Sequence, residues 1–103
     1  MKTRIIITVE KIRGNCPIYK TGDKILIDEF YIKSNHSQNI CIHPFAAMTT
    51  LLSAFLHGSS ATELGIGSQK TIGYIHCPDP CPPYTKGGTV FFKLKKETQI
   101  TTS

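Results

Sequence analysis

Long hydrophobic runs are missing from this sequence. The most apolar start, Ile-Ile-Ile-Thr-Val at 5–9, is too short for a signal-peptide core with its cleavage site and reads as a strand. The longest amphipathic stretch carries Thr49, Thr50, Ser53 and His57 and falls short of the length a bilayer requires. No membrane association is therefore expected, and the expected compartment is the cytoplasm, where thiols stay reduced. Acidic residues are also scarce, with 7 Asp and Glu against 12 Lys and Arg, giving a net charge of +5. That balance invites an anionic partner. Yet the RNA-binding aromatic signature, the helix-turn-helix pattern and the zinc-finger spacing that often accompany such charge are all absent.

What is present begins with one helix. Phe45, Met48, Leu52 and Phe55 recur at spacings of three and four, with Leu51 and Leu56 widening the stripe. Pro44 suits the first helical position and Gly58 suits a C-terminal cap, so the helix is expected over 44–57. Around it lie strand patterns. Residues 3–13 alternate, with Ile5, Ile7 and Val9 on one face and Arg4, Thr8 and Glu10 on the other. Residues 24–33 are rich in β-branched and aromatic side chains and read as a second strand. Residues 71–76 give a third, and 89–96, with Val90, Phe92 and Leu94 on one face, a last one. A soft stretch after Gly58 predicts a long loop with one irregular turn around Ala61 to Leu64. The expected fold is a single α+β domain over 1–96, a small, mostly antiparallel sheet of about four or five strands packed on the one main helix. Residues 97–103 are expected to form a polar tail.

Two segments share a frame. Cys, Pro, Tyr and Gly fall at the same offsets in Cys16–Gly22 and Cys81–Gly87, and each copy leads into a strand, with Ile25 and Ile27 matching Val90 and Phe92. Tyr19 and Tyr84 are each expected to pack one ring over a loop.

The four cysteines, Cys16, Cys41, Cys77 and Cys81, all fall in loops or at an element end. In a reducing compartment such cysteines read as metal ligands, reactive thiols or plain buried residues. Brought together, four thiolates suit zinc or an iron–sulfur cluster, with His43 and His76 as substitute ligands. The spacing Cys-x-x-x-Cys at 77–81 departs from the usual Cys-x-x-Cys knuckle, and Pro78 and Pro80 stiffen it. Taken singly, Cys41 just before the helix sits where free N–H groups favour a thiolate, with His43 beside it as a general base or cation. Asp79, between two prolines, can accept hydrogen bonds within its own turn or orient a ligand or a histidine.

Three segments carry a resemblance: Gly14–Ile27 with its Cys-Pro loop and Gly-Asp turn, Ile40–Phe55 with its Cys-led helix, and His76–Pro80 followed by the strand Val90–Leu94. In that order they resemble a family of small uncharacterised prokaryotic proteins known only as hypothetical proteins. The resemblance matches Cys16, Cys41 and Cys77 to the family's cysteines and Asp79 to its acidic loop position. The chain departs from it in having no Trp at the helix start and a longer passage from Cys81 to Gly88. Cys81 thus falls outside the matched set, and the resemblance implies no activity.

The leading expectation is a cysteine-lined site of Cys16, Cys41, His43, Cys77 and Asp79, with Cys81 as a fourth thiol, binding a metal or a small ligand. The alternative is a noncatalytic module. Lys2, Arg4, Lys11 and Arg13 at one end and Lys93, Lys95 and Lys96 at the other would form one basic strip if the first and last strands pair. That strip would meet a nucleic acid or an acidic protein, unless it serves only to keep sheet edges apart.

Overall fold

The computed structural model describes residues 2–99. Its frame is a pair of long strands, β1 (Lys2–Gly14) and β5 (Gly88–Gln99), paired antiparallel along their whole length. They run through most of the molecule's 52 Å long axis. Three shorter strands, β2 (Lys24–Asp28), β3 (Tyr31–Ile32) and β4 (Ile72–His76), complete one five-stranded antiparallel sheet in the order β3-β2-β1-β5-β4. The helix α1 (Ile42–Leu56) covers one face. This is the expected α+β fold, with the first and last strands paired at the centre.

The alternation read from sequence sets the faces. Ile5, Ile7, Val9, Ile25, Ile27, Val90, Phe92 and Leu94 are buried toward the helix, against Met48, Leu52 and Phe55. Phe45, expected in the same stripe, lies at the margin and is half-buried. Beyond Val9 the β1–β5 register shifts at a β-bulge, and Lys11 pairs with Phe91 where strict alternation would have paired Glu10. The extra residue resets the parity: Ile12 stays on the core face opposite Val90, and Lys11 and Arg13 turn outward.

Three expectations are corrected. Residues 24–33 are not one strand but a hairpin, in which Asp28 pairs with Tyr31 across a two-residue turn at Glu29 and Phe30. Glu29 adopts φ +61°, so the turn forms without the usual glycine or asparagine. The helix begins at Ile42 and ends at Leu56, so Pro44 is its third residue and still one whose N–H would lack an intrahelical partner. β5 continues through Gln99 beyond the expected end at Lys96, and 100–103 of the expected tail lie outside the described residues.

The helix C-terminus is closed from two sides. Gly58 has φ +121°, and the Ser59 N–H donates to the Ala54 carbonyl at 3.0 Å, a Schellman closure. Lys96 Nζ donates to the carbonyls of Phe55 and Ser59 at 3.0 and 2.9 Å and lies 4.5 Å from the Phe55 ring centroid. Lys96 therefore points to the helix side and is no part of a basic strip. Among the described residues no helix is long and apolar enough to cross a membrane.

Candidate functional site

β1 ends, β5 begins and β4 ends at the same edge of the molecule, so the loops 15–23 and 77–87 leave the sheet side by side. There Gly14 pairs with Gly88 at a close approach. A Cβ on Gly88 would lie 2.5 Å from the Arg13 carbonyl oxygen and 2.8 Å from the Asn15 nitrogen. Both atoms are backbone and cannot swing away. The start of α1 comes to the same place, and the three segments enclose an open cleft of 640 Å³. Cys16, Cys41, Cys77, His43 and Asp79 all line it. The convergence expected of three cysteine segments is thus present, while Cys81 is not among the lining residues.

The walls are mostly apolar, from Pro17, Ile18, Pro44, Pro78, Pro80 and Val90. The cysteines differ in what their sulfurs do. Cys77 is only 6% exposed; its Sγ accepts the Val90 N–H at 3.3 Å and lies 3.5 Å from the Gly88 carbonyl, to which it donates. It joins the Pro-rich loop to the start of β5. Cys16 Sγ accepts the Tyr19 N–H at 3.4 Å, closing its own turn. Cys41 is the residue before the helix, half-buried, and its side chain makes no capping bond.

Asp79 organises the other wall. Its Oδ1 accepts the Cys81 N–H at 2.9 Å and the Thr85 hydroxyl, and its backbone carbonyl accepts the Thr89 hydroxyl. A Cβ on Gly87 would collide with Oδ2, so the loop wraps the carboxylate closely. The Thr85 hydroxyl bond and then the Cys81 N–H hold its pKa below the ordinary carboxylate range; burial opposes them, and the nearby His43 adds a smaller lowering effect. It is a carboxylate at any physiological pH.

Tyr19 was not expected in the site, though its place in the repeated Cys-Pro frame was a signal. Its ring meets Phe92 edge-on, with centroids 5.6 Å apart, and its Oη accepts the Cys41 N–H at 2.8 Å. It ties the Cys16 loop to the helix start. The repeat does not extend to its partner: Tyr19 is 4% exposed, whereas Tyr84 is 80% exposed and packs no ring over a loop. The strand positions of the repeat do match, since Ile25, Ile27, Val90 and Phe92 are all buried.

The donors that line the cleft are not gathered about one point. Among the described residues no three His, Cys, Asp or Glu side chains are grouped to hold one. The Cys77 sulfur is already bonded on both sides, and Cys81 stands outside the cleft. Neither zinc nor an iron–sulfur cluster finds its ligands gathered here. No protein-family model matches the chain, and neither curated proteins nor solved structures give a match.

Proposed function

We propose that the cleft between the two Cys-Pro loops and the helix start binds a small organic ligand. This ligand is apolar over most of its surface and carries a hydrogen-bond donor or cationic group that reaches Asp79. One observation carries the reading: three segments distant in sequence close around a single 640 Å³ cleft with apolar walls and an ionised carboxylate. Ligand sites commonly have about 300–1,000 Å³ and this kind of lining, with a few polar groups fixing orientation. Cys16 and Cys41 serve as polarisable wall atoms, and Cys77 as the tie that keeps the Pro-rich loop against β5.

A thermal-shift screen of small amines and neutral heteroaromatics, followed by amide NMR, tests this. Binding compounds should move the amide signals of Ile18, Cys41 and Cys77, and Ile18→Glu, at an exposed wall position, should abolish the effect while leaving the protein folded. The reading is overturned if no compound moves those signals. It is overturned equally if protein purified anaerobically carries zinc or iron at one per chain with its thiols protected.

A further inference from the structure

The face of the sheet turned away from α1 is open, and its side chains form a regular array. Pairing register places them in rows across the strands. His76, Phe91 and Lys11 form one row; Tyr74, Lys93, Thr8 and Lys24 the next; Ile72, Lys95, Ile6 and Leu26 the third. The bulge at Glu10 brings Lys11 and Arg13 onto this face, and the Arg13 guanidinium lies 5.2 Å from the Phe91 ring centroid. Of the acids on this face, Asp28 and Glu97 both register with Arg4 in a fourth row, and Glu10 is exposed in the bulge beside Lys11. Asp28 also meets Lys2 at 3.6 Å, the one ion pair among the described residues. Against Glu10, the one neighbouring acid, Lys11, Arg13, Lys24, Lys93 and Lys95 leave a surplus of cations.

We propose that this face binds single-stranded nucleic acid, with Lys11, Arg13, Lys24, Lys93 and Lys95 meeting phosphates and Tyr74 and Phe91 stacking on bases. Two features together select that occupant. Surplus cations alone suit any polyanion, but Tyr74 is 49% exposed in a row with Lys93 and Lys24. Phe91 lies one row away beside His76, with centroids 5.8 Å apart. An aromatic surface interleaved with cations is what unpaired bases on a phosphate chain require. A duplex hides its base faces and is entered by a projecting helix or ribbon, whereas this face is a broad sheet surface. A membrane surface would need apolar side chains projecting beyond the lysines, whereas Ile72, Ile6 and Leu26 beside Lys95 are only partly exposed. The exposed Phe30, Ile42 and Tyr84 lie instead at the hairpin tip, the helix start and the Pro-rich loop. An acidic peptide gives the rings nothing to stack on.

The test is fluorescence anisotropy with labelled oligothymidine and oligouridine of about 12 nucleotides, a duplex of the same length, polyglutamate, and vesicles rich in phosphatidylserine. The single strands should bind best. Five phosphate contacts predict a salt slope near −3.5, hence about 100-fold weaker binding between about 50 and 200 mM salt. Tyr74→Ala should weaken binding roughly tenfold, and Lys93→Gln or Lys95→Gln should each flatten the slope by about 0.7. Lys96→Gln, a cation of the helix side, should retain full binding once its folding is verified by circular dichroism. Absence of binding at about 50 mM salt overturns the proposal. So does a preference for duplex, polyglutamate or vesicles, or a folded Tyr74→Ala protein that binds as tightly as the wild type.

Discussion

The Tyr19 ring lies edge-on to Phe92 in the core while its hydroxyl takes the N–H of Cys41, a residue distant in sequence. A phenol so placed is held neutral. Burial is the main cause of its raised pKa; the Cys41 N–H opposes it, and the neighbouring Cys41 and Cys16 and the Asp23 carboxylate add to it. A folded-state pKa above the unfolded one means that the stabilising effect is complete below about pH 10 and is lost as pH rises through the folded value. Tyr19→Phe leaves the Cys41 N–H without its acceptor and should cost about 1 kcal/mol near neutral pH. The sign then gives a second expectation. In urea denaturation the gap between wild type and Tyr19→Phe should narrow from about pH 9 to about pH 11, because only the wild type has this phenol to ionise. Lys96 works in the opposite sense: burial lowers its pKa, so its own cost to the fold is relieved as pH rises. It is common to both proteins and leaves the difference intact. A gap constant across that range would show that Tyr19 is not held as described.

Among the elements, β1 shows what a sequence pattern can and cannot convey. Ile5, Ile7 and Val9 announced the buried face plainly, because a period of two has one core-facing solution. The bulge was not legible, since Glu10 looks like one more outward residue until Phe91 is seen to pair with Lys11. The 28–31 turn was hidden for a related reason. Glu29 and Phe30 carry no turn chemistry, and Phe30 and Tyr31 read as strand formers. The site was legible in part: Cys and Pro at element ends marked the loops that converge. The bonding of Cys77 to β5 and the grip of Tyr19 on Cys41 depend on tertiary placement, which spacing does not encode. The bulge carries a prediction. Deleting Glu10 would leave Lys11 directly after Val9, outward, and Ile12 inward, restoring plain alternation with every face preserved. The deletion should therefore shift stability by no more than about 1 kcal/mol, whereas deleting Thr8 would turn Lys2 through Ile7 over and unfold the chain. Denaturant melts of the two deletions decide it; comparable damage from both would mean that the bulge holds the β1–β5 pair together.

For the molecule as a whole, one layer of helix on one sheet means one core. Phe55 stands at its centre, fully buried under the sheet, with Lys96 across its ring and its own carbonyl bonded to the same ammonium. The opposite face is open, so among the described residues no second apolar layer holds the strands if the helix leaves. Loss of the helix contact is then a global event. Phe55→Ala should cost about 3–5 kcal/mol, a large share of the roughly 5–15 kcal/mol that domains of this size possess. Lys96→Met, which gives up the two carbonyl bonds and the cation over the ring but keeps the apolar stem, should cost about 1–2 kcal/mol. Both should act through a single transition. Amide exchange in β4 and β2, on either side of the central pair, should then accelerate together in Phe55→Ala. Strands that opened separately, with β2 and β3 melting while β5 and β4 stayed protected, would divide the sheet into two units and contradict the single core.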